Sequence, residues 1–200
     1  MTDSSFLSLA AHPDTPSGGV RRVAAWAELA GPDVLRFHYL LEADLKQVRV
    51  PSPAADAARA DDLWAHTCFE AFIRFAGSPR YLELNFSPSG QWAAYGFESY
   101  RQGMAPAELD APPRLTQQRS NERLDLRAEV AFSGALLSLG TGPDAAPERR
   151  LRIALSTVVE DREGRLSYWA LSHPPGRPDF HHTDSFSLTL ELPAHPLITS

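Results

Sequence analysis

The sequence predicts an all-β fold, an antiparallel β-sandwich with short helical turns confined to its loops. Three observations lead there. Proline and glycine, 17 and 12 of the 200 residues, recur at intervals that leave room for strands but rarely for long helices. Apolar and polar residues alternate in several runs, the period of a strand with one buried face. Three such runs follow one another between Leu63 and Arg101, joined by tight turn sequences.

Taken in order, Val20 to Leu29 reads as a first strand after the Ser17-Gly18-Gly19 turn, and Val34 to Glu42 as a second, with Leu35, Phe37, Tyr39 and Leu41 on one side. Gly31-Pro32-Asp33 turns between them. Leu45 to Val50 fits a short edge strand closed by Pro51 and Pro53, and Ala54 to Ala60 fits either a helical turn or a loop. In the central stretch Phe69, Ala71, Ile73 and Phe75 alternate with Cys68, Glu70, Phe72 and Arg74, and Leu82, Leu84 and Phe86 with Tyr81, Glu83 and Asn85. If Ser87 to Gly90 is the turn, Phe86 pairs with Gln91, and the next run puts Ala93, Tyr95 and Phe97 on the core face and Trp92, Ala94, Gly96 and Glu98 opposite. Gln102 to Asn121, with Pro106, Pro112 and Pro113, reads as an irregular excursion. Leu124 to Val130 alternates cleanly, Ala131 to Leu139 fits a short helix or a strand edge, and Thr141 to Glu148 is a loop. Leu151 to Glu160 and Leu166 to Leu171 flank the Arg162-Glu163-Gly164 turn. The proline-rich segment His173 to His182 is a constrained loop, and Phe186 to Leu192 forms the last strand.

Two hundred residues without an internal boundary predict one domain spanning 1–200. A formal charge of -6 with scattered arginines argues against nucleic acid. One cysteine, Cys68, allows neither an intramolecular disulfide nor a cysteine-based zinc cage and suits a reducing compartment. The opening residues lack the charged start of a signal peptide, and no run approaches the roughly 20 apolar residues of a membrane span. The expectation is a soluble cytoplasmic protein with no membrane partner. Its oligomeric state is left open.

The non-core face of the central strands gathers Glu70, Phe72, Tyr81, Glu83, Asn85, Trp92 and Glu98. Carboxylates and an amide beside aromatic rings are what polyol recognition requires, since rings stack on C–H faces and planar polar groups take paired hydroxyls. The competing reading is an outer face that meets water, with Glu70 paired to Arg101 or Arg74. A second group is His173, His181 and His182 with Asp179 and Asp184, which reads first as turn-stabilising hydrogen bonds, with a metal, or haem ligation by these histidines or His66, as the alternatives. Adjacent histidines in extended chain point to opposite sides, which works against one shared ion. Glu70 and Glu83 could form a glycosidase-like acid and base pair. No nucleophile elbow, phosphate loop or dinucleotide fingerprint is present.

LWAHTCFEAF (63–72), LNFSPSGQWAAYGFESYRQGM (84–104) and SYWALSHPPGRPDFHHTDSF (167–186), with the opening HPDTP (12–16), resemble the bacterial stand-alone DOMON-like domain proteins, relatives of the family 9 carbohydrate-binding modules. The resemblance implies a β-sandwich in a superfamily whose members bind sugars or haem. It maps the superfamily's strand carboxylate to Glu70 and an aromatic plate to Trp64 or Trp92. The methionine and histidine haem pair has no counterpart, because Met1 and Met104 are the only methionines. The resulting expectation is noncatalytic binding of a small, sugar-like ligand over the central face by Trp64, Glu70, Asn85, Trp92, Tyr100, Arg101, His173, Asp179 and His181, with no catalytic residue, no metal and no cofactor. A haem or metal module using the loop histidines is the alternative, and a glycoside-hydrolase-like enzyme the third.

Overall fold

The computed structural model describes residues 6–17, 19–31, 33–131 and 150–192. Among these, the chain forms β1 (Leu7–Ala11), β2 (Val20–Gly31), β3 (Val34–Ala43), β4 (Cys68–Phe75), β5 (Tyr81–Phe86), β6 (Trp92–Phe97), β7 (Ala105–Pro106), β8 (Arg114–Arg119), β9 (Arg123–Ala131), β10 (Arg150–Glu160), β11 (Leu166–Ala170) and β12 (Leu188–Glu191). Single turns of 3-10 helix occur at Leu63–Ala65 and Thr183–Ser185. The architecture is the predicted all-β sandwich.

The strands pair antiparallel in two layers. One runs β1-β2-β3-β9-β8; the other runs β7-β6-β5-β4-β10-β11, with β12 alongside the start of β10. The layers join at β1, where Leu7 to Leu9 pair with β2 and Ala10 and Ala11 pair with β11. Phe37, Tyr39 and Leu41 on one layer face Phe69, Ala71, Phe86 and Leu155 on the other, all buried. Alternation explains the choice, since these are the apolar members of period-two runs. Phe69 lies 5.1 Å from the Tyr39 ring, and the Tyr39 hydroxyl donates to the Glu70 carbonyl oxygen at 2.8 Å, tying the layers together.

The outer face of the second layer is apolar too. Cys68, Phe72, Tyr81, Ala93, Tyr95 and Phe97 pack there with Phe180 and Phe186, which the proline-rich segment lays across the sheet. The expected wet face is therefore roofed.

Several expectations need correction. Trp92, not Gln91, pairs with Phe86, because the connection is Ser87 to Gln91: Ser87 N–H donates to the Gln91 carbonyl at 2.9 Å. The extra residue reverses β6, so Trp92 and Ala94 enter the inter-layer core and Ala93, Tyr95 and Phe97 face outward. Leu45 to Val50 is not a strand; Val48 makes an isolated bridge to Asp161. The excursion after Gln102 contains β7 and the edge strand β8, which has one half-buried residue and therefore no hydrophobic period. β1 escaped prediction for the same reason, with Leu9 its one buried residue. The last strand begins at Leu188. The readings at 132–139 and 141–148 lie outside the described residues.

Candidate functional site

Strand pairing brings the predicted carboxylates together. Glu70 on β4 stands opposite Asn85 on β5, and Phe72 opposite Glu83. Glu70, Glu83 and Asn85 are only 3%, 6% and 0% exposed, so they form a sealed polar cluster under the roof. Asn85 Nδ2 donates to Glu83 Oε1 at 2.8 Å, and the Cys68 thiol points at Asn85 Oδ1 from 3.8 Å. Glu70 Oε1 has no hydrogen-bond partner, nor has Oγ of Ser156, its cross-strand neighbour on β10. Burial pushes the Glu70 carboxyl well above its ordinary range, and the Glu83 charge adds to the effect. Burial also raises Glu83, although the Asn85 amide and Arg101 favour its charged form. Of the pair, Glu70 is the one held more strongly towards its neutral form.

The anticipated cation for Glu70 is absent. Arg74 lies over the Phe186 ring at 4.4 Å, and Arg101 pairs with Asp179 at 2.8 Å.

From Glu83 the polar cluster reaches outward through His181. Its Nε2 is 3.7 Å from Glu83 Oε2, and its Nδ1 is 2.8 Å from the Tyr81 hydroxyl. Arg101 N–H donates to that hydroxyl at 3.1 Å. A backbone N–H can only donate, so the hydroxyl accepts from Arg101 and its own hydrogen is left available for His181 Nδ1, an arrangement in which the imidazole proton would sit on Nε2, facing Glu83. Burial, helped by the Arg101 charge, lowers His181 to about 4 and keeps it neutral near pH 7.

Asp179 closes the chain of contacts. It accepts from the Tyr100 hydroxyl at 2.5 Å, the Arg101 guanidinium at 2.8 Å and the His181 main-chain N–H at 3.1 Å. Burial opposes its charge, but the Tyr100 and Arg101 hydrogen bonds outweigh that and hold Asp179 below the usual carboxylate range. Arg101 adopts a left-handed backbone, φ 54°, a strained state for a side chain with a Cβ. That turn aims its N–H at Tyr81 while its guanidinium meets Asp179.

Beside this network lies a pocket of about 390 Å³. Tyr81, Tyr100, His181 and Phe186 give it rings, Ser78, Ser99 and Thr183 give hydroxyls, and Arg74 gives a guanidinium. Of the nine predicted residues, Tyr100 and His181 line this pocket and Asp179 bonds to both, with Arg101 paired to Asp179, while Glu70 and Asn85 lie sealed beneath the roof. Three do not join them. Trp92 sits on the core side of β6, 9% exposed, its indole N–H without a partner and the Arg59 guanidinium 5.9 Å from its ring. Trp64 projects from a 3-10 turn, 50% exposed, and does not line the pocket. His173 anchors the roof instead: its Nε2 lies 2.9 Å from the Ala10 carbonyl oxygen and its ring meets His12 edge-on at 5.0 Å. Glu98, placed with them by the shifted register, pairs with Arg80 at 2.6 Å.

Sequence reading missed Ser78, Ser99, Thr183 and Phe186, which come from turns and the roof, where no periodicity marks a face. Arg74 was legible, since alternation already set it beside Glu70 and Phe72. The other histidines are engaged separately: His182 Nδ1 accepts from Asp184 N–H at 3.2 Å, and His66 Nδ1 is 2.8 Å from Glu160. Among the described residues no three histidine, cysteine, aspartate or glutamate side chains gather to hold a metal.

No protein-family model matches the chain, and no curated protein does. Among solved structures, a presumed carbohydrate-binding protein of Bacteroides uniformis aligns over 94% of this chain and 84% of its own, with 16% identity and a TM-score of 0.65. That likeness establishes a shared fold. A family 9 carbohydrate-binding module of Caldicellulosiruptor kristjanssonii in complex with glucose aligns over 98% of this chain and 89% of its own, with 11% identity and a TM-score of 0.49. The same module with cellotriose aligns over 88% and 78%, again with 11% identity and a TM-score of 0.49.

Proposed function

We propose that the chain is a noncatalytic binding module for a small, carbohydrate-like ligand, of the DOMON-like kind its sequence resembles, and that the pocket beside Tyr100 and His181 receives it. One observation carries this reading. Residues far apart in sequence, Tyr81, Tyr100, Arg101, Asp179 and His181, are locked into one hydrogen-bonded chain beside a recess lined with ring faces and hydroxyls. A pre-set wall of this kind lowers the ordering cost of binding. Tyr100, half exposed, offers a ring for a sugar's C–H face, and Arg74, Ser78 and Thr183 offer donors and acceptors for its hydroxyls. The fold shared with a presumed carbohydrate-binding protein accords with this reading. A glycosidase pair would have to reach its substrate, and neither Glu70 nor Glu83 lines the pocket.

Calorimetric titration with a panel of mono- and disaccharides tests the proposal. At least one sugar should release binding heat, and Tyr100→Ala should weaken that binding by roughly two- to tenfold, the usual worth of a stacked ring. Absence of heat with every sugar, or binding indifferent to Tyr100→Ala, would remove the pocket from consideration.

A further inference from the structure

The recess beside Tyr100 and His181 has one cationic side chain among its lining residues, Arg74 of β4, and no carboxylate. His181 there is neutral near pH 7. Strand pairing sets this cation in place without supplying an acid. Arg74 stands opposite Arg152 on β10, so the ladder puts two like charges side by side, an arrangement that repels. Arg152 is answered by neutral oxygens, Thr189 Oγ1 at 3.0 Å and the Phe186 carbonyl at 2.6 Å. Arg74 makes no hydrogen bond or ion pair among the described residues. Its guanidinium lies on the Phe186 ring at 4.4 Å, a contact that holds the group in place and uses none of its N–H donors. Nε is sealed and unpartnered, so the terminal nitrogens of this half-buried side chain are the donors a ligand can meet.

The acids beside the lining residues are engaged elsewhere. Asp179 accepts from the Tyr100 hydroxyl and the Arg101 guanidinium, and Glu98 pairs with Arg80 at 2.6 Å. Glu83 accepts from Asn85, and Asp184 lies 3.6 Å from His182. None of them offsets what acts on Arg74: burial first, and then the Arg152 charge, lower its guanidinium from the ordinary value, with no carboxylate opposing them. The guanidinium stays protonated all the same, and a half-buried cation with a second beside it is what an arriving anion relieves.

We propose, on the reading that this recess binds a sugar, that its ligand is an acidic sugar, a ring bearing one carboxylate or phosphate, and that Arg74 is the residue that selects it. The anionic group bonds the forked end of Arg74, the ring lies on Tyr100, and Ser99 and Thr183 meet hydroxyls. The guanidinium fork suits a carboxylate or a phosphate equally, so the two share one chemistry. A neutral sugar leaves the cation unanswered, and a bare inorganic anion leaves the Tyr100 ring uncovered.

The test titrates the full chain calorimetrically with glucose and galactose, their uronates, their 6-phosphates and inorganic phosphate. The strongest acidic sugar should bind roughly tenfold more tightly than its neutral parent and than inorganic phosphate, and its identity tells a carboxylate ligand from a phosphoryl one. Arg74→Gln should bring that affinity down to the level of the neutral parent, whose own binding changes by less than about threefold. Neutral sugars binding as tightly as the acids, and weakened by Tyr100→Ala, overturn the acidic preference and leave the sugar site standing; silence from every sugar removes both. Inorganic phosphate binding as tightly as the acidic sugars, or a preference that survives Arg74→Gln, also overturns the proposal. Should Arg74→Gln fail to fold, salt carries the test in the unaltered chain: between about 50 mM and about 500 mM the acidic sugar should lose several-fold in affinity and the neutral parent none. An equal response of the two refutes the assignment.

Discussion

Replacing Glu70 by Gln should stabilise the protein, increasingly so as pH rises. The carboxyl is 3% exposed, its Oε1 has no hydrogen-bond partner, and Glu83 lies close enough to oppose a second negative charge. The folded chain therefore retains a proton that the unfolded chain gives up near its ordinary value of 4.5. From that pH up to the raised native value, the folded state binds one more proton than the unfolded state. Unfolding free energy then falls with rising pH, by at most about 1.4 kcal/mol per pH unit. Gln has the same shape and no proton to lose, and its amide can meet the unpartnered Ser156 Oγ across the ladder. His38 and His181 titrate below about pH 6.5 with the opposite sign, so the comparison must be a difference between the two proteins, in which their contributions cancel. Urea unfolding at pH 5, 6, 7 and 8, followed by tryptophan fluorescence, should give similar stabilities at pH 5 and a gap favouring the variant that widens by about 1.4 kcal/mol per unit until the native pKa is passed. A gap independent of pH, or a variant less stable at pH 8, would show that Glu70 is a charged and satisfied carboxylate and refute the reasoning.

Other perturbations follow from the same contacts. Trp92→Ala should cost about 3–5 kcal/mol by opening a core cavity, seen as a lower urea midpoint, while sugar affinity stays within a few-fold; the reverse pattern would return Trp92 to the binding face. His181, lowered from 6.5 to about 4, destabilises the fold as acid titrates it. Its contribution is complete above pH 6.5 and disappears by roughly 3 kcal/mol as pH falls to 4, so His181→Gln should flatten the acid limb of the pH–stability curve. Tyr39→Phe leaves the buried Glu70 carbonyl without its donor and should cost about 1–3 kcal/mol in urea unfolding, with the core otherwise intact.

The sheets were legible where one face differed from the other. Glu70, Glu83 and Asn85 were assigned to the correct side of β4 and β5, because Ala71, Leu82 and Leu84 left no choice for the opposite face. In β6 the sequence WAAYGF carries an aromatic residue in each phase, and both faces are buried, so hydrophobicity holds no parity information. The phase was set by the turn, where Gly90 at φ 89° and the Ser89 hydroxyl bonded to Gln91 accommodate a fifth residue. The roof was invisible for a different reason. Phe180 lies among prolines and histidines with no period and Phe186 reads as the start of the last strand, so only tertiary packing reveals them as a lid over Phe72 and Tyr81. That lid turned a predicted open surface into a sealed cluster with a recess at its margin.

Strand β1 works as a seam with two short lines of stitching, three pairs into one leaf and two into the other. Its Ala10 carbonyl also fastens His173, from which the chain runs on to Asp179 and His181. Fraying of Leu7 to Ala11 would thus unpick both the join between the leaves and the hem of the cover above the recess. Ligand escape and the opening of the sandwich share a starting point, and amide exchange at Leu9 to Ala11 should slow when the recess is filled.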